Sequence, residues 1–131
     1  MYRLPVDKVL TPEMVEKYIE KNASEVRRRE MLFDYYCGKH EILKRQMADS
    51  AKPNNKIVNP FANYITDIMT GYFMGEPISY SSPEPQLLSE IDAIFTYNDE
   101  ASENVGLAKD ASIYGSAYEQ IYFDEDGNVR F

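Results

Sequence analysis

A mainly α-helical fold with a small β component (α+β) is what this sequence predicts, and three observations carry the prediction. Apolar side chains recur every three to four residues through most of the chain, the spacing of one helix face. Gly and Pro stand between those stretches, at Gly38, Gly75, Pro77, Pro83 and Gly115. After Gly115 the period drops to two, with Tyr118, Gln120 and Tyr122 alternating against Glu119, Ile121 and Phe123.

Taken in order, Thr11-Pro12-Glu13 is a helix start: Thr can cap free N–H groups, Pro fits the first helical position, and Glu suits the positive helix end. A helix over 12–22 carries Met14, Val15, Tyr18 and Ile19 on one face, and Ser24 can cap a second helix ending near Tyr36. Gly38 suits the left-handed conformation that terminates a helix. Residues 40–48 predict a short helix, followed over 48–56 by a polar loop with Pro53, Asn54 and Asn55 as turn formers.

Asn59-Pro60 opens the clearest helix, where Phe61, Tyr64, Ile65, Ile68, Met69, Tyr72 and Phe73 form one apolar face; this face is expected at the centre of the core. Gly75 can stop that helix and Pro77 blocks its continuation, leaving an extended segment near 78–81. A further helix spans 85–97, and Asn98 or Asp99 can cap the next, which reaches Tyr114. Ala101, Val105, Ala108 and Ser112 give it a face of small side chains, suited to close helix packing. The alternating stretch begins a hairpin over 117–131, turned by the acidic run from Asp124 to Asn128.

At 131 residues there is material for one core, and 44% hydrophobic with 27% charged residues is ordinary for a folded chain. Because the sequence stops three residues into a strand, 1–131 reads as a single or partial domain from a longer protein, with a helical arm at 1–22 and a helical core plus hairpin at 23–131. Apolar runs are far shorter than the roughly 20 residues that cross a bilayer, so an intracellular, water-soluble chain is expected.

The net charge of −8 conceals a division. Residues 1–56 hold 12 Lys and Arg against 9 Asp and Glu, whereas 57–131 hold 2 against 13. The acidic part repels phosphate, and unlike halves favour head-to-tail self-association into a ring or filament.

Little in the sequence points to catalysis or a cofactor. Cys37 and His40 have metal-like spacing, but the chain has no other Cys or His to complete a structural zinc site. The carboxylates Asp99-Glu100 and Asp124-Glu125-Asp126 are explained by a helix start and a turn, and most of the eleven tyrosines fall on predicted apolar faces. Arg27, Arg28 and Arg29 with Lys44 and Arg45 are the candidates for contact with another subunit. The competing reading is a solvated face, because three consecutive arginines point to different sides of a helix.

The ordered series Tyr36-x-Gly38-Lys39-His40, Pro53-Asn54-Asn55-Lys56-Ile57, Asn59, Gly71-Tyr72-x-x-Gly75-x-Pro77-Ile78-x-Tyr80 and Ala111-x-x-x-Gly115-x-Ala117-Tyr118 resembles the N-terminal, wing-like region of siphophage-type portal proteins. The resemblance implies a virion structural protein from a phage or prophage: a head–tail connector ring of identical copies at a capsid vertex, assembled in the host cytoplasm. DNA would pass through it during packaging and ejection without sequence-specific binding. Partners implied are further copies, terminase, capsid or scaffold proteins and head–tail adaptors, with no membrane, cofactor or enzymatic role. ATP hydrolysis belongs to the terminase in that system, and this chain has no Gly-rich phosphate loop. Stem, clip and tunnel segments of the family lie beyond the matching region. The alternative left open by the residues alone is a free-standing helical adaptor that binds another protein.

Overall fold

A computed structural model describes residues 9–49 and 51–131. The first eight positions of the expected arm, and Ser50 of the polar loop, lie outside the described residues. Among the described residues four α-helices and a two-stranded sheet follow one another: α1 (Pro12–Tyr36), a 3-10 turn (Glu41–Lys44), α2 (Phe61–Phe73), α3 (Pro85–Asn98), α4 (Glu100–Tyr114), β1 (Tyr122–Phe123) and β2 (Val129–Arg130).

The helix α1 is continuous where the sequence reading expects two helices. Asn22, Ala23 and Ser24 include neither Gly nor Pro, and Asn and Ser each cost only about 0.5 kcal/mol in a helix interior, so nothing breaks the run. Ser24 is therefore mid-helix and caps nothing. Thr11 is extended and its carbonyl accepts the N–H groups of Met14 and Val15, both at 3.1 Å, but its side chain makes no capping bond. The expected Gly38 turn is present with φ 75°. Cys37, Gly38 and Lys39 donate their N–H groups to the carbonyls of Phe33, Tyr35 and Asp34, satisfying the open helix end.

The expected 40–48 helix contracts to the four-residue 3-10 turn. Arg45 is engaged elsewhere: its Nε donates to Asn54 Oδ1 at 3.2 Å, a terminal N–H donates to the Asn55 carbonyl at 3.1 Å, and Asn54 Nδ2 donates back to the Arg45 carbonyl at 3.2 Å. That carbonyl is spent on the loop instead of a helical ladder.

The helix α4 is the hub, packed against α1, α2 and α3. Of its small-residue face, Ser112 approaches Thr66 of α2 with 3.5 Å between hydroxyl oxygens, whereas Ala101 and Val105 stay exposed. Asp99 joins α3 to α4 in the left-handed conformation (φ 54°), which Asp tolerates better than bulkier residues. Asn98 Nδ2 donates to the carbonyls of Ile94 and Val129, both at 2.9 Å, and so ties α3 to β2. Tyr80 and Phe131 pack on Phe95 at ring separations of 4.8 and 6.2 Å. The hairpin is antiparallel, pairing Tyr122 with Arg130 and Phe123 with Val129. Its ladder is shorter than the predicted alternation, and the 78–81 segment is extended without joining a strand.

The core is small. Among the described residues only Ile113, Thr66 and Thr70 are buried. The chain exposes 10928 Å², whereas a compact monomer of 15.2 kDa exposes about 7,100 Å². Even granting residues 1–8 and 50 the surface of a fully extended chain, roughly 1,500 Å², more than about 2,000 Å² of excess remains.

Candidate interaction surface

The source of that excess is clearest on α2. Successive residues of a helix are turned by about 100°, which gathers Phe61, Tyr64, Ile65, Ile68, Met69, Tyr72 and Phe73 onto one half of the cylinder. Thr66 and Thr70 occupy the other half, and they are the residues that α2 buries, at 6% and 7% exposure. The seven apolar side chains are all at least 50% exposed, with Tyr72 at 89% and Phe73 at 75%. The expectation that this face lies at the centre of the core is thus corrected. Close approach of small side chains between α2 and α4 seats the threonine face inward, so the wide apolar face is left outward.

Three polar junctions hold the helices in this arrangement. Asp67 of α2 accepts one hydrogen bond, from the Tyr36 hydroxyl of α1 at 3.1 Å, and pairs with Lys109 of α4 at 3.2 Å, while the Lys109 ammonium stands 5.3 Å from the Tyr36 ring centre. The Tyr36 hydroxyl, followed by Asp67, raises the Lys109 pKa above its ordinary value. Second, Arg29 of α1 donates to the hydroxyls of Ser116 at 3.2 Å and Tyr118 at 3.3 Å and lies over the Tyr118 ring. The hydrogen bond from Arg29, then that from Ser116, holds the Tyr118 phenol below its usual pKa. Third, Glu100 accepts from Tyr80 and from Asn104, fixing the extended segment to the start of α4, and the hydrogen bond it accepts from the phenol raises the Tyr80 pKa.

At the hairpin, Asp124 accepts the N–H groups of Asp126 and Asn128 at 3.1 and 2.8 Å and pairs with Arg130 at 3.6 Å. The Asn128 backbone N–H is the main reason that its carboxyl titrates below the usual range. Arg130 also covers the Tyr97 ring at 4.5 Å.

The five basic candidates do not form one cluster. Arg29 is committed within the chain as described. Arg28 faces Glu25 at 3.9 Å, Lys44 pairs with Glu41 at 3.2 Å, and Arg45 clamps the loop. Arg27 alone among the five makes no hydrogen bond or ion pair to a described residue. The junction of Tyr36, Asp67 and Lys109 escapes the sequence reading, although one signal was available: Lys109 and Arg130 are the two cations of the acidic part, and each has an internal carboxylate partner.

The recurrent Gly, Pro and Asn positions are largely architectural. Gly38 and Gly115 take positive φ at helix ends, Asn54 and Asn55 receive Arg45, and the Asn59 carbonyl accepts the Phe61 N–H at 2.8 Å as α2 begins. Pro53 is exposed in the loop. Gly75 lies so close to the Gly71 carbonyl that a Cβ there would stand 2.7 Å from the oxygen. Pro77 lines a shallow cavity with Met74, Ile78 and Val105.

Cys37 is an exposed free thiol, and His40 stacks on Tyr35 at 4.9 Å. Among the described residues no group of three His, Cys, Asp or Glu is placed to hold a metal, and no helix is long and apolar enough to cross a membrane. Most polar groups at the helix junctions are paired within the chain, Arg29 Nε and the Thr70 hydroxyl being buried without a partner, and the apolar face of α2 is left as a wide exposed surface.

The comparisons with known proteins agree with the resemblance drawn from the residues. Residues 15–131 match the family described as phage portal protein, SPP1 Gp6-like. The chain is also 28% identical over 119 residues to the portal protein of Bacillus phage SPP1, an alignment that takes in 89% of this chain and 22% of that protein. The chain thus spans about a fifth of the length of the relative it matches.

Proposed function

This chain belongs to the SPP1 Gp6-like family of phage portal proteins, and from that premise we propose that it is the N-terminal, wing-like part of a longer portal subunit. In this reading identical subunits close into a ring at one capsid vertex of a phage or prophage particle, after assembly in the host cytoplasm, and DNA passes through the ring during packaging and ejection. The work is structural: the ring joins capsid or scaffold proteins, terminase and head–tail adaptors, and no cofactor is required.

The observation that carries the proposal is the family match over residues 15–131 together with a surface the described chain leaves uncovered. A typical stable interface buries about 800 Å² per partner, so an excess above about 2,000 Å² is that of a piece built into something larger. Charge division adds a direction: the net positive charge of residues 1–56 and the net negative charge of 57–131 favour unlike ends meeting around a ring. The acidic surface also discourages DNA from adhering where it only passes. The adaptor alternative gains nothing from the family match.

Native mass spectrometry and particle imaging of the intact gene product, in low and high salt, test the proposal. A closed ring of subunits longer than 131 residues is the expected result. A monomer of this length alone would overturn it.

A further inference from the structure

We infer that the outward apolar face of α2 is covered, in the intact subunit, by a stretch of the same polypeptide lying beyond Phe131. This rests on the reading that the chain belongs to a longer portal subunit. A surface of this kind needs an occupant. At 50–89% exposure, and with about 200 Å² for each fully exposed side chain of this size, the seven residues present about 900 Å² of apolar surface. That is a whole interface on one helix face, and larger than the apolar patches that monomers ordinarily leave in water, about 300–600 Å².

Three observations favour the same chain over a neighbouring copy. The face carries no charge at all: Asp67, the one ionisable acid or base of α2 apart from its tyrosines, sits away from the stripe and is occupied by Tyr36 and Lys109. Contacts between separately folded copies are framed by polar and charged residues, whereas a stripe half a helix wide and uncharged is the surface of a domain interior. Next, β1 and β2 form a sheet of two strands with two residues each, and Tyr122 and Phe123 remain exposed. So small a hairpin is marginal by itself, and further chain entering there would complete the sheet as it covers the helices. Finally, the matched region is 22% of the length of the aligned SPP1 protein, so ample further chain exists in a relative of this kind. The covering segment should itself be apolar and free of charge where it meets Ile65, Ile68 and Tyr72.

Cysteine labelling in the full-length subunit, kept dilute so that it stays monomeric, decides the matter. In a Cys37→Ser background, which removes an exposed thiol, single reporters Ile68→Cys and Tyr72→Cys are compared with Arg28→Cys on the exposed surface of α1. Labelling of both α2 reporters at least about tenfold slower than the α1 reporter, already in the monomer, is expected for a face sealed by its own chain. Protection that arises only after ring closure would overturn the inference and assign the face to a neighbouring copy. Open labelling in both states would also overturn it. Hydroxyl-radical footprinting of Tyr64 and Tyr72 in the unsubstituted protein gives the same readout without variants. The underlying reading fails separately, at the prior step of weighing the gene product, if no longer chain is found.

Discussion

A methyl group added at Gly75, compared with one added at Gly71, isolates the closure at the end of α2. In Gly75→Ala the new Cβ would stand 2.7 Å from the Gly71 carbonyl oxygen. The obstruction is backbone, so no side chain can swing aside, and the turn itself must shift. Strain of this kind costs about 1–3 kcal/mol, and the lower entropy of an unfolded Ala offsets about 0.5 kcal/mol of it. A net loss of roughly 1–2 kcal/mol follows. Gly71 lies inside α2, and a Cβ there meets nothing within 4 Å. Gly71→Ala should therefore stabilise by about 0.5–1 kcal/mol through helix propensity. The two variants add one methyl group each and differ in stability by about 1.5–3 kcal/mol, with effects of opposite sign. With a urea slope near 1.5 kcal/mol per molar, their unfolding midpoints should separate by about 1–2 M at unchanged slope. Coincident midpoints, or a more stable Gly75→Ala, would refute the steric reasoning.

Three further outcomes are expected. Thr70 buries a hydroxyl with no hydrogen-bond partner, so Thr70→Val should raise stability by about 1 kcal/mol in thermal or urea unfolding; a loss would mean that the hydroxyl is satisfied. Asp124 has a lowered carboxyl pKa, so its contribution is complete above the ordinary carboxylate value and is lost as pH falls through the lowered one. The amides of Asp126 and Asn128 should lose hydrogen-exchange protection in that acid window, and Asp124→Ala should remove the protection at neutral pH. Spectrophotometric titration should find Tyr118 ionising below the ordinary phenol range, and Arg29→Gln should move it back up; an unchanged titration would place Arg29 elsewhere.

What could be read from the sequence was local. Gly38 and Gly115 end their helices because left-handed backbone is nearly free of cost without a Cβ, and Pro85 and the Asp99 junction delimit α3 and α4 from neighbouring residues alone. The Asp124–Asn128 turn forms from hydrogen bonds within five residues. Family membership was legible for the same reason, being written in turn formers at fixed spacing. Continuity at Asn22–Ser24 was missed because weak helix formers cost too little to stop a helix that neither Gly nor Pro interrupts.

The tertiary structure alone decided which side of each helix faces in. Periodicity says that α2 has an apolar face; it cannot say whether the present partner accepts it, and here Ser112 of α4 approaches Thr66 and the side that is buried is that of Thr66 and Thr70. Likewise nothing near Arg29 in sequence announces Ser116 and Tyr118, 87 and 89 residues away, and Asp67 meets Tyr36 and Lys109 only once three helices converge. Local sterics and hydrogen bonding choose elements from neighbouring residues, whereas the direction in which an amphipathic face points depends on what chain is available to cover it.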